Sequence, residues 1–244
     1  MIDSLVINGC SYMEVYAQGQ GHIDLAQRLG LASAQSLAMG GSANSRIIRT
    51  TLKHSYKNTN VFYVLGLTFL SREEIPILNP LYHKIDWDME GRWTNPQNQM
   101  MEQYWQTEWS QQDTKRWVEL KLKTDFYSIP DRLEHLQYML LAMIHSLHAR
   151  GHKVLIYQQA DPIYQSYLEE SRFEFLKLPE IIGGLTWQAI PWQDQQGVPV
   201  NDSSDYVTNP YGETPRYMQH RKAGAHERLN EFLTNYIKDH KILQ

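Results

Sequence analysis

A single cysteine, Cys10, stands in the whole chain. It excludes an internal disulfide and any metal site built from several thiolates. Apolar runs are short as well, and none approaches the roughly 20 residues that a membrane-spanning helix needs. No block of lysine or arginine stands out and the formal net charge is −4, which argues against a dedicated nucleic-acid binder. Met1 to Val6 carry no basic stretch leading into a long apolar one, so no secretory leader is expected. The cytoplasm is the default compartment, although a phage-borne or metagenomic protein would look the same. Internal repeats are absent, and so are low-complexity tracts beyond a mild enrichment in glutamine. What remains is 244 residues, 42% hydrophobic and 20% charged. That is the composition of a globular protein with enough length to bury a sizeable core.

The first third alternates regularly. Leu5, Val6 and Ile7 form an apolar run that ends at Asn8-Gly9, with Cys10-Ser11 next. A short buried strand that breaks at glycine and then presents a hydroxyl can hold a nucleophile on a rigid edge. A loop with Gly19 and Gly21 is expected after it, then a helix over Ile23 to Leu29 closed by Gly30. Ala34 to Ala38 read as a second strand. Gly40-Gly41 turn the chain into another helix, with Ser42 or Asn44 as cap and Ile47, Ile48, Thr51 and Leu52 on its apolar face. Val61 to Leu65 form the third strand, which ends at Gly66. Strand, helix, strand, helix, strand is the pattern of a parallel sheet, whose ligand crevice lies at the carboxyl ends of its strands.

From Phe69 to about Ser128 the alternation stops. Ile85 to Thr94 suggest a hairpin turning at Glu90-Gly91, and residues 97–123 carry Met101, Trp105 and Trp109 at helical spacing. Residues 70–127 are read as an insertion at the mouth of the sheet within one domain, not as a domain of their own. A helix from Pro130, capped by Ser128, places Leu133, Leu136, Leu140, Met143 and Leu147 on one face. Val154 to Tyr157 are the fourth strand and Leu185 to Ile190 the fifth. The chain closes in a helix with Leu229, Phe232, Leu233, Tyr236 and Ile237 turned to the core. The expected architecture is therefore a three-layer α/β/α sandwich around a parallel sheet of about five strands, flavodoxin-like, with an inserted hairpin and helical cap.

One further segment makes the pattern specific: His220 and His226, six residues apart, stand just before the last helix. With Gly9-Cys10-Ser11 after the first strand and Gly40-Gly41-Ser42-Ala43-Asn44 after the second, the chain resembles the SGNH (GDSL-type) hydrolases. These are esterases and lipases on an α/β/α fold. The resemblance covers roughly the first 70 and last 30 residues. It implies Ser11 as nucleophile, His220 as its general base and an acyl-enzyme intermediate. It also implies an oxyanion hole with the backbone N–H groups of Ser11 and Gly41 as two arms. The family's third arm is an asparagine after the third strand, whereas Gly66-Leu67-Thr68 stand here. Thr68 would donate its hydroxyl or Asn44 would substitute from the neighbouring loop. The departure matters, since losing one such donor typically lowers the rate by about 10²–10³. The family's acid lies three residues before the histidine, where this chain has Tyr217. Asp205, Glu213 or Asp202 can supply the carboxylate from the preceding loop, or serine and histidine act as a dyad.

Other assignments stay open beside this one. Cys10 can act as the nucleophile or pack under the turn, and His226 can take the place of His220 or pack on the final helix. The remaining histidines show no paired metal-ligand pattern, so neither metal nor cofactor is expected. His145 and His148 are a helical pair with no acid close by, read as surface or packing residues. Arg72, Glu73 and Glu74 follow the third strand near the crevice. Trp87, Trp93, Trp105, Trp109 and Trp117 are read mostly as core of the insertion, with one or two lining the pocket, where flat rings suit sugar faces or acyl chains. The expected activity is hydrolysis of a carboxylic ester, small or borne on a carbohydrate, with no nucleic-acid or membrane partner. One alternative is a binding protein that keeps the crevice without the acid. The other is a lipase or lysophospholipase, less well served by a charged, Gln-rich insertion. Nothing in the sequence points to a particular oligomeric state.

Overall fold

The computed structural model describes residues 2–40, 42–68, 77–79, 84–86, 129–158, 178, 180–181, 206–207, 220–221 and 223–244. Four strands form one parallel sheet: β1 (Ser4–Gly9), β2 (Ser33–Ser36), β3 (Val61–Leu67) and β6 (Lys153–Gln158), in the order β2-β1-β3-β6. The register sets Ser4 against both Ser33 and Val61, and Phe62 against Lys153. Both faces of the sheet are covered, which is why β1, β3 and β6 read as near-continuous apolar runs. On one face Val6, Tyr63, Leu65, Val154 and Ile156 pack against α3 (Asn44–Ser55) and α4 (Ile129–His148). On the other, Leu5, Ile7, Phe62, Val64 and Leu155 meet α1 (Ser11–Gln18), α2 (Gly21–Arg28) and α5 (Ala223–Asp239). This is a helix–sheet–helix sandwich. Edge strand β2, with the sequence Ser-Ala-Gln-Ser, is half exposed and polar, as befits a strand with one unpaired side.

β1 feeds β2 on one flank, and the chain then crosses to β3 on the other. The strand order switches direction between β1 and β3, and at such a switch point a ligand crevice is expected at the carboxyl ends of the strands. There Gly9 pairs with Gly66, Ser11 follows β1 and Thr68 follows β3.

Two local expectations change. Ser11 does not enter a loop: it begins α1, which ends at Gly19, and α2 starts two residues later at Gly21. Neither Ser42 nor Asn44 caps α3; the capping position is Ala43, with no side-chain cap bond, because both polar side chains are used elsewhere (below). Lys84–Asp86 (β5) pairs back with Ile77–Asn79 (β4) in an antiparallel ladder. The hairpin turn at Glu90-Gly91, the helix over 97–123, the capping Ser128 and the strand Leu185–Ile190 lie outside the described residues. Ahead of that strand, Ile181 makes a parallel bridge to Ile156 on the free side of β6. A final antiparallel pair joins β7 (Tyr206–Val207) to β8 (His220–Arg221).

Candidate active site

The exit of β1 is fixed from three sides. Asn8 is fully buried and its amide nitrogen lies 2.9 Å from Ile47 O, 2.8 Å from Thr50 Oγ1 and 2.9 Å from Thr51 Oγ1. Its Oδ1 accepts the Gly9 N–H at 2.9 Å. These bonds tie the end of β1 to α3. At Gly9 a side chain would run into Met13 and approach Gly66 O to 3.0 Å, so α1 can fold directly back over the strand only on glycine. Cys10 is extended (φ −88°, ψ −160°) and accepts the first helical bond, Glu14 N to Cys10 O at 3.0 Å. Ser11 is then the first residue of α1, half-buried, with its N–H among those a helix start leaves without an intrahelical partner. That end of a helix favours negative charge.

The loop leaving β2 continues alongside β1. Leu37 N donates to Ile7 O at 2.8 Å and Met39 N to Gly9 O at 3.1 Å. This brings Gly40 against the nucleophile candidate: a Cβ there would stand 3.8 Å from Ser11 Cβ and 2.9 Å from Glu14 Oε2. Gly41 lies outside the described residues. Beyond it Ser42 Oγ donates to Met39 O at 2.7 Å and accepts from Arg46 Nη1 at 3.0 Å, while Arg46 Nη2 lies 3.7 Å from Met39 Sδ. Arg46 therefore braces the two residues that bracket the glycines.

On the β3 side Asn44 and Thr68 are locked together. Thr68 N donates to Asn44 Oδ1 at 2.8 Å and Asn44 Nδ2 donates to Thr68 O at 3.1 Å. Both residues are buried. One of the two Asn44 amide hydrogens goes to Thr68; the other has no partner among the described residues.

His220 occupies β8, opposite Val207, and β8 passes beside α1 with Cα atoms within 8 Å. Asp202, Asp205 and Glu213 lie outside the described residues, as do Arg72, Glu73, Glu74 and the five tryptophans of the insertion. His226 is placed differently. It is buried on α5, edge-on to Tyr16 with ring centroids 5.3 Å apart. Its Nδ1 is 3.2 Å from where a Gly19 Cβ would be. Gly19 follows the far end of α1, about 12 Å along the helix axis from Ser11, so the described structure places His226 at the other end of that helix from Ser11. Cys10 is fully buried with Tyr12. His148 has an acid after all: Glu180 Oε1 stands 3.6 Å from its Nε2. The chain returns beside β6 at Glu180, whose carbonyl accepts the Ile156 N–H at 2.7 Å, and sequence distance hides that approach. Among the described residues no three His, Cys, Asp or Glu side chains are grouped to hold a metal ion, and no helix is long and apolar enough to cross a membrane.

Three side chains around this corner carry no signal of their role in the sequence: Asn8, Glu14 and Arg46. Glu14 is the exception in principle, since an acid three residues after a helix-initiating serine returns to the same end of the helix.

No family model matches the chain, and no curated protein does. The solved structures to which the chain is similar include two covered over most of their length. TesA has 14% sequence identity and a TM-score of 0.47, with 98% of this chain and 99% of TesA covered. A Bacteroides fragilis protein assigned as an acylhydrolase has 11% identity and a TM-score of 0.43, with 97% and 87% covered. Both likenesses are too distant to carry a residue assignment.

Proposed function

We propose that the chain is a serine hydrolase of carboxylic esters, with Ser11 as nucleophile and His220 as general base. The observation that carries this is the placement of Ser11. It is a half-buried hydroxyl at a helix start, at the sheet's switch point, with Gly40 packed against it. His220 takes the Ser11 proton as Oγ attacks the ester carbonyl, and the oxyanion forms at the positive end of α1. Collapse releases the alcohol, which receives the proton from His220. Water, deprotonated by the same histidine, then frees the acid. The N–H groups of Ser11 and Gly41 bind the oxyanion. The third donor is the spare Asn44 amide hydrogen or the Thr68 hydroxyl. Asp205 is the best supported acid, because it directly precedes β7, the strand paired with that of His220. Glu213 and Asp202 are further along the chain from that pairing. The substrate is a small or carbohydrate-borne ester.

Hydrolysis of p-nitrophenyl esters from acetate to octanoate tests this. Wild type is expected to turn over, with Ser11→Ala and His220→Ala each lowering kcat by a factor on the order of 10³ or more. A wild-type rate in Ser11→Ala would overturn the assignment. An inactive wild type that still binds esters would favour the binding-protein alternative, to which Tyr217 at the family's acid position points.

A further inference from the structure

The ester-hydrolase reading gives Glu14 no role, yet its carboxylate lies against Gly40 in the loop that leaves β2. Its Oε2 and the Ser11 Cβ stand 2.9 and 3.8 Å from one point, the Cβ position of Gly40. The side chain is half-buried and makes no hydrogen bond or ion pair among the described residues. Its direction is set by the helix. Tyr16 and Gly19, which face His226, come two and five residues later, about 160° and 140° round the axis from Glu14. Glu14 therefore points away from α5 and towards the loop leaving β2, where an oxyanion-hole arm is expected. Gly40 has to be glycine for the carboxylate to sit there.

A carboxylate in that position acts in two opposite directions. It disfavours negative charge developing on the carbonyl oxygen of a neutral ester, and it attracts a cation held beside the scissile bond. We propose that Glu14 is a specificity-determining residue that selects esters carrying a positively charged group near the reacting carbonyl. The inference rests on Ser11 marking the ester subsite. The net charge of −4 assists approach of such a substrate. The ordinary alternative is that Glu14 merely complements the dipole at the start of α1.

Acetylcholine and its uncharged isostere 3,3-dimethylbutyl acetate separate these. Wild type is expected to favour acetylcholine in kcat/KM by about tenfold at low salt, and less at high salt. Glu14→Gln is expected to bring the ratio near one by lowering the rate on acetylcholine and raising it on the neutral ester. A purely structural Glu14 would shift both substrates together, and an unchanged ratio overturns the proposal. Binding of the same two esters to Ser11→Ala and to Ser11→Ala/Glu14→Gln, followed by calorimetry, needs no turnover. A preference for acetylcholine that vanishes with Glu14 supports the proposal even if wild type hydrolyses neither ester, in which case the hydrolase reading alone falls. Equal binding of the two esters by Ser11→Ala overturns the proposal whatever the rates.

Discussion

Single polar side chains decide how well the crevice is held. Asn44 has the residue type of a helix cap or an oxyanion donor, and by sequence either role is available. Its partner is the backbone of Thr68, 24 positions away, and a bond across that distance leaves no local signal. Replacing Asn44 by alanine removes both hydrogen bonds and strands a buried N–H and C=O. The expected loss is about 2–3 kcal/mol in urea unfolding. A loss below about 0.5 kcal/mol would mean that the Thr68 groups find other partners. Arg46 acts on the same corner from the other side. Arg46→Ala is expected to leave the unfolding midpoint nearly unchanged and to lower kcat for p-nitrophenyl acetate by about tenfold, because it holds Ser42 and Met39 around the glycines and effects of misplacement appear in the rate. A lowered midpoint at full kcat would show that it braces the fold alone.

At the scale of elements, the four strands of the parallel sheet and the long helices were legible. β1, β3 and β6 are buried on both faces and must be apolar. α4 and α5 each turn one stripe to the sheet. α1 was not legible. Its eight residues lie between Cys10 and Gly19 with little amphipathic contrast, and its helicity is imposed by tertiary contacts. Met13 lies over Gly9, and the Tyr16 hydroxyl donates to Gly21 O at 2.7 Å and is hydrogen-bonded to Asn230. The parallel pairing of β1, β2 and β3 follows from the strand–helix alternation, whereas Glu14 meets the loop after β2 only because Ser11 starts a helix. The contact between β1 and α1 gives a further prediction. Gly9→Ala places a methyl against Met13 and Gly66 O, so α1 must lift. Both thermal stability and the fluorophosphonate labelling rate of Ser11 are expected to fall. Unchanged labelling would place the nucleophile's alignment elsewhere than in this contact.

Across the whole molecule, the end of the sheet opposite the crevice carries a pH-dependent store of stability. His152 accepts the Val61 N–H on Nδ1 at 3.2 Å and its Nε2 lies 3.3 Å from Ser55 O, which fixes the neutral tautomer protonated at Nε2. Burial lowers its pKa from the usual 6.5, assisted by Arg150 and opposed by the Ser55 contact. Burial lowers His54 and His22 as well, the first with help from His152 and the second against Asp24. A depressed folded pKa means that the unfolded chain takes up protons first as pH falls. The contribution is complete above pH 6.5 and declines below it. The urea midpoint is expected to drop from neutral pH towards pH 5, and His152→Gln, which keeps one donor and one acceptor, should flatten that slope. An identical slope in His152→Gln would assign the acid sensitivity to other groups. The crevice at the opposite end carries the central claim, and fluorophosphonate labelling with mass mapping of the modified peptide tests it most directly. One adduct is expected, on Ser11, formed much more slowly in His220→Ala and absent from Ser11→Ala; an adduct on another residue, or none on a wild type that hydrolyses esters, would overturn the assignment of Ser11 as nucleophile.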